Sequence, residues 1–478
     1  MNGLDKKMKK ILIIIIIGVM IILAIGGYFY FGGDREQESD IEDGQEILLE
    51  GEEWFQTGNA QDIIQLQHIR SPELENNRMG DMVTLQPQVH KEEPDSFANR
   101  ISDAGLKWMR ISIDTFDLPE VENPGLHSEY NIYPEQDAAI TALNNNGIKP
   151  MYVLVFWDEE IQSSKGYSRF KTEEEIQDFL DYVQFIVGHF KDKIEYYEIL
   201  NEPNAREGTQ QYVESDDYIT VARRVIPIIR QEDPEAKIVV GAITPLYEPS
   251  AKEYFFNILS SDIMPLVDGV SFHGIGPRTS PEYEADDYYG YPALLQEIKD
   301  TASSHGFTGE YIAAELHYRT EETYHEHEPW VHSNIEVAKY MARGIIIQSG
   351  MDFTTGTASC LECSPTMEVL RGMATIMAGA TPTNLQVQIQ SQATNIEYYT
   401  FSLSNGDKLI ALWTDGTAVD DDAGVSADLI INDISSEEVI GIDVLESYQQ
   451  SITTSNENGN LVINDLIVRD YPLVIKIK

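Results

Sequence analysis

From residue 79 to about residue 378, short apolar runs of strand composition alternate with helix-length amphipathic segments, and this alternation restricts the fold more than any other feature. Strand-like runs span 79–90, 106–113, 149–157, 194–200, 237–244, 267–273, 311–314 and 351–357. Helical periodicity marks 95–104, 135–146, 171–190, 218–231, 334–348 and 366–378. Strands interleaved with helices in this way predict an α/β fold, a parallel sheet closed into a (β/α)8 TIM barrel over 54–379. Beyond about Gly379 the period changes to short alternating β segments at 396–403, 408–414, 426–431, 439–443, 461–468 and 473–477. Asn405-Gly406 and Asn458-Gly459 supply tight turns between them, so 380–478 reads as a small antiparallel β-sandwich.

The chemistry concentrates where strands stop. Tyr196, Tyr197, Ile199 and Leu200 favour a buried strand, but Asn201-Glu202-Pro203-Asn204 cannot continue one. Pro203 lacks a ladder donor and pushes Glu202 out of the α region, which fixes Glu202 at a strand's carboxyl end. In a parallel barrel that end carries the active site, so a carboxylate held there reads as a catalytic acid. The seventh strand-like run also closes on a carboxylate, Glu315, after Tyr311-Ile312-Ala313-Ala314.

The run Glu198-Ile199-Leu200-Asn201-Glu202-Pro203-Asn204 resembles the fourth-strand motif of the clan A retaining glycoside hydrolases. The chain is similar to their β-xylosidase-like family 39 and family 5 cellulase-like members. That resemblance implies Glu202 as general acid/base and Glu315 as nucleophile, with carboxyl groups roughly 5 to 5.5 Å apart. It further implies Arg110 beside the nucleophile, Asn201 on the sugar 2-hydroxyl and His273 lining the site at the end of strand six. Trp157, at the end of strand three, is the candidate sugar-stacking platform, and Tyr318, just past Glu315, a further candidate sugar contact. Each also has an ordinary structural reading: an ion pair, a turn-capping amide, a satisfied core histidine, rim packing. The chain departs from the clan pattern at strand eight, where residues 353–357 read Phe-Thr-Thr-Gly-Thr in place of a tryptophan. The expected function is a glycoside hydrolase acting by double displacement on a neutral β-linked glycan. The alternative is a non-catalytic glycan-binding or structural surface protein that kept the barrel.

Charge and the amino terminus bear on where such a domain works. Eighty acidic against 33 basic residues give a net charge of −47, which excludes nucleic acid and anionic membrane surfaces as partners and suits a neutral carbohydrate. Lys6, Lys7, Lys9 and Lys10 precede an uninterrupted apolar run at 11–31, long enough for a transmembrane helix with the remainder outside the cell. A cleaved signal peptide, with Ala24-Ile25-Gly26 as its small-residue site, is the competing reading. Residues 32–53 form an acidic linker too polar to order itself. No cofactor or metal is expected. Cys360 and Cys363, just beyond strand eight, are expected to be a disulfide or two free thiols, with a Cys/His site involving His317, His325, His327 and His332 the less usual alternative. Asp420-Asp421-Asp422 reads as a solvated acidic loop, with calcium the sharper alternative.

Overall fold

The computed structural model describes residues 48–49, 51–74, 76–84, 93–112, 132, 134–155, 168–205, 207–209, 212–320, 330–358 and 364–478. The apolar run at 11–31, Trp157, His325, His327, Cys360 and Cys363 lie outside them. Among the described residues no helix is long and apolar enough to cross a membrane.

Two short strands, β1 (Leu48–Leu49) and β2 (Ile63–Gln65), come first. Eight parallel strands then close a barrel: β3 (Met79–Thr84), β4 (Trp108–Ser112), β5 (Lys149–Leu154), β6 (Tyr196–Ile199), β7 (Lys237–Ile243), β8 (Gly269–Phe272), β9 (Glu310–Ala313) and β10 (Thr354–Thr357). Around them run α1 (Pro94–Asp103), α2 (Pro134–Asn145), α3 (Glu173–His189), α4 (Ser215–Glu232), α5 (Pro249–Leu259), α6 (Ala285–Ser304), α7 (Asn334–Gly350) and α8 (Thr366–Ile376). Each helix lays an apolar stripe on the sheet, as Phe179, Val183, Ile186 and Val187 of α3 do, all buried. The caps are local: Thr172 accepts from Glu175 N at the start of α3, and Ser333 with Glu336 forms a reciprocal capping box on α7. Helices α5 and α6 went unread in the sequence.

Inside the barrel the indole of Trp108 lies across the lumen among Met151, Tyr196, Val239, Ile312 and Ala314. This packing accounts for the small residue in β10. A Cβ added to Gly356 would stand 2.3 Å from the Ala314 carbonyl oxygen and 2.6 Å from the Trp108 ring, so no side chain fits. Thr357 ends the strand with its hydroxyl bonded to Asp81 Oδ1 at 3.0 Å.

Ten strands follow: β11 (Thr381–Thr383), β12 (Val387–Ser391), β13 (Ile396–Ser402), β14 (Lys408–Thr414), β15 (Val425–Ile431), β16 (Val439–Asp443), β17 (Tyr448–Ser451), β18 (Ser455–Glu457), β19 (Asn460–Val468) and β20 (Leu473–Ile477). They make an eight-stranded sheet ordered β1-β2-β17-β16-β20-β14-β13-β11 and a four-stranded sheet ordered β12-β15-β19-β18. Leu412 and Ile475 of the first meet Leu429 and Ile463 of the second in one core, which makes a sandwich. Asn458 and Gly459 both take positive φ, the geometry a two-residue hairpin turn requires.

The expected boundaries are corrected at the amino-terminal side. β1 falls within the stretch read as acidic linker, and β2 within the stretch read as barrel, yet both pair into the sandwich, β2 against β17. Phe55 is buried in the sandwich core. The described part of the chain therefore starts in the sandwich, builds the barrel, and returns. Helix α7 fastens the two parts: Lys339 Nζ donates to Asp470 Oδ1 at 2.6 Å, and Arg343 Nε and Nη1 donate to the carbonyls of Asp470 and Gly416 at 2.8 and 2.5 Å. The acidic run is drawn into the same seam, since Asp420 accepts from Ser333 and Asp422 from Asp470 N.

Candidate active site

The site is assembled at the carboxyl ends of β4, β6, β7, β8 and β9, and its centre is a cation. Strand alternation sends Arg110 of β4 inward one layer above Trp108, where only 1% of it is exposed. Each of its three nitrogens is engaged. Nε donates to Glu198 Oε2 at 2.6 Å, Nη1 to Glu315 Oε1 at 2.7 Å and Nη2 to Asn201 Oδ1 at 2.6 Å. Burial alone would lower the Arg110 pKa, but the charges of Glu198 and then Glu315 outweigh it and raise it.

Glu198 itself is fully buried in β6, and its other oxygen accepts from Ser271 Oγ of β8 at 2.5 Å. That hydroxyl in turn accepts from Ala242 N at 3.0 Å, at a bulge in β7 where the register shifts between Gly241 and Ile243. Gly241 is obligatory here. Its φ is +121°, and a Cβ would stand 2.1 Å from the Ser271 carbonyl oxygen. The bulge turns the Ala242 carbonyl toward Glu202, whose N–H donates to it at 3.0 Å. Glu202 takes φ +44°, outside the right-handed helical region as expected before Pro203, but left-handed rather than extended. Tertiary hydrogen bonding holds it there, together with Asn204, which accepts from Thr244 N at 3.3 Å.

His273 stands between the two strand-end carboxylates. Its Nδ1 lies 3.0 Å from Glu202 Oε1 and its Nε2 3.3 Å from Glu315 Oε1. Ligating atoms of Glu202, His273 and Glu315 all fall within 4.8 Å of one another. Among the described residues this is the cluster that could share a metal ion, but the Arg110 guanidinium already occupies Glu315 and adds a repelling charge. Burial opposes ionisation of His273, yet Glu315 and Glu202 outweigh it and raise its pKa. For Glu202 burial is likewise outweighed, chiefly by the hydrogen bond and charge of His273, and its pKa is lowered.

Of the residues singled out in the sequence, Arg110, Asn201, Glu202, His273 and Glu315 meet at one point. Tyr318 is corrected: its hydroxyl donates to the Thr279 carbonyl at 2.8 Å and its ring stacks on Tyr340, so it packs the loops instead of offering a sugar contact. Glu198 and Ser271 were missed. An acid inside the otherwise apolar run Tyr196–Ile199 was the available signal, because a buried carboxylate requires a partner.

Residues 75–303 match the family model described as Cellulase (glycosyl hydrolase family 5), a range that holds Arg110, Asn201, Glu202 and His273 and stops short of Glu315. A furostanol glycoside 26-O-beta-glucosidase of Hellenia speciosa is 29% identical over 137 residues, 28% of this chain and 24% of that protein. Endo-1,4-beta-xylanase B of Thermotoga neapolitana is 23% identical over 205 residues, 41% of this chain and 58% of that protein. The chain thus spans about a quarter of the first relative and somewhat over half of the second. Among solved structures, a family 39 glycoside hydrolase from the gut symbiont Bacteroides cellulosilyticus WH2 superposes with a TM-score of 0.61 at 14% identity, covering 88% of this chain and 86% of that one. Residues 75–303 are thus similar to the family 5 glycosyl hydrolases, and the chain shares the fold of that solved family 39 structure.

The His273–Glu202 pair has a pH signature. A raised histidine pKa contributes stability that is complete below its ordinary value of 6.5 and lost as pH rises through the folded value. A lowered glutamate pKa contributes stability that is complete above its ordinary 4.5 and lost as pH falls. The window of full effect is therefore about pH 4.5 to 6.5. Thermal unfolding of wild type and His273→Asn is expected to differ most near pH 5.5, with the gap shrinking as pH rises through the raised His273 value. A gap that stays constant over that rise would contradict the charged pair.

Proposed function

We propose that this glycoside hydrolase barrel is a retaining enzyme that cleaves a neutral β-linked glycan or glycoside by double displacement, outside the cell. The observation that carries the reading is the approach of Glu202 and Glu315 to within 4.8 Å, oxygen to oxygen, on separate strands of one barrel face. That spacing suits direct attack by one carboxylate and leaves no room for the interposed water that inversion needs.

In the proposed mechanism Glu315, positioned by Arg110, attacks the anomeric carbon while Glu202 delivers a proton to the departing oxygen. The lowered pKa of Glu202 requires a source for that proton, and His273 supplies it. The charge of Glu315 is the strongest influence raising the His273 pKa. As Glu315 becomes a neutral glycosyl ester this support disappears, and the imidazolium yields its proton through the 3.0 Å contact to Glu202. Glu202, again a carboxylate, then takes a proton from the water that hydrolyses the ester. The apolar run at 11–31 is proposed to anchor the enzyme in the membrane with the barrel outside.

Screening the purified chain on aryl glycosides and polysaccharides identifies a substrate, and variants assign the roles. Glu202→Ala is expected to lose about 10²- to 10⁴-fold on substrates with poor leaving groups and far less on dinitrophenyl glycosides. Azide should accelerate it and yield the β-glycosyl azide from a β-substrate. Glu315→Ala with azide should yield the α-anomer, because azide then attacks the substrate directly. Near-normal turnover of both variants without azide would overturn the assignment. Fractionation of cells tests the anchor: detergent-dependent release is expected, and a freely soluble product beginning near residue 27 would establish cleavage instead.

A further inference from the structure

His317 belongs to the site by geometry but has no place in the hydrogen-bond network described above. The segment after β9 stays extended. Leu316 N donates to Gly356 O at 2.9 Å, His317 N to Ile275 O at 3.3 Å, and Leu316 bridges Ile275 as a parallel pair. Leu316 is fully buried, close to Gly344 of α7. Alternation therefore turns Glu315 and His317 to the other side together, about 6 to 7 Å apart along the chain. That is close to the width of one sugar ring, measured outward from the proposed nucleophile.

Its two ring nitrogens differ. Nδ1 is buried without a hydrogen-bond partner. Burial lowers the His317 pKa, and of the neighbouring charges that act on it Glu315 and Glu202 oppose that while Arg319 and His273 add to it. The imidazole is thus neutral near pH 7, with one proton to place. An orphaned buried N–H is less tolerable than a bare lone pair, so the proton belongs on Nε2. Nε2–H is a donor with no acceptor among the described residues, beside the carboxylate where a sugar must sit.

We propose that His317 donates from Nε2 to a ring hydroxyl of the substrate and so selects which sugar configuration the site accepts. This rests on the glycosidase reading. A hydroxyl that both accepts from His317 and loses bulk water on binding is discriminated by the loss of that bond when it is absent or epimeric.

The test compares wild type, His317→Phe and His317→Gln on the best p-nitrophenyl glycoside from the screen, its epimers and its 3-, 4- and 6-deoxy analogues. Thermal unfolding of each variant confirms that it is folded. Wild type is expected to lose roughly 10- to 100-fold in kcat/KM on one deoxy analogue. His317→Phe should lose a similar factor on the parent glycoside and nothing more on that analogue, while His317→Gln, which keeps a donor, recovers part of the loss on the parent. An active wild type with a His317→Phe variant that is unimpaired, or impaired equally on every analogue, overturns the contact alone. A wild type inert toward every glycoside and polysaccharide overturns the function and this contact with it.

Discussion

The buried guanidinium of Arg110 is the interaction on which the site depends. It joins β4 to β6 through Glu198 and Asn201 and to β9 through Glu315, at distances of 2.6 to 2.7 Å. A charge this deep is tolerable only when paired, and removing one partner from such a set costs about 3–5 kcal/mol. The same rigidity serves the chemistry. Glu315 can present one oxygen in a fixed direction because its other interactions are set by a planar fork that is itself held on two sides. Glu198 has no evident part in bond cleavage. Its work is to hold the Arg110 guanidinium from the β6 side while its other oxygen accepts from Ser271.

A second chain of contacts sets the other carboxylate. Glu198 takes the Ser271 hydroxyl, Ser271 takes the Ala242 amide, and the bulge at Gly241 turns the Ala242 carbonyl to Glu202 N. Both strand-end glutamates thus trace back to one buried acid, by separate routes. His273 closes the loop between them, at 3.0 Å from one and 3.3 Å from the other, so the protonation of either is felt by its neighbour.

Much of this was legible in the sequence, for identifiable reasons. Barrel strands announce themselves because both faces are buried, and Pro203 marks the end of one without any knowledge of its neighbours. Helix α6 was hidden because Gly290 and Pro292 are poor helix formers; packing of Tyr288, Tyr291, Leu295 and Ile298 overrides them. Helix α5 is only eleven residues long and begins on Pro249. The pairing of β2 with β17 joins residues nearly four hundred positions apart, and no local pattern encodes a partner at that distance. The role of Glu198 was hidden in the same way, since its partner Arg110 lies 88 positions earlier. Tyr318 misled because an aromatic beside a catalytic strand end is equally suited to stacking on a sugar or, as here, on Tyr340.

The central claim is that Glu315, held by Arg110, forms a bond to the sugar. Incubation with a 2-deoxy-2-fluoro-β-glycosyl fluoride of the cognate sugar, followed by peptide mass spectrometry, reads this directly, because the fluorine slows hydrolysis of a glycosyl ester once formed. The account predicts a single added glycosyl mass on the peptide containing Glu315, absent from Glu315→Gln. A stable adduct on Glu202, or turnover of normal substrates with inverted anomeric configuration and no adduct at all, would contradict it.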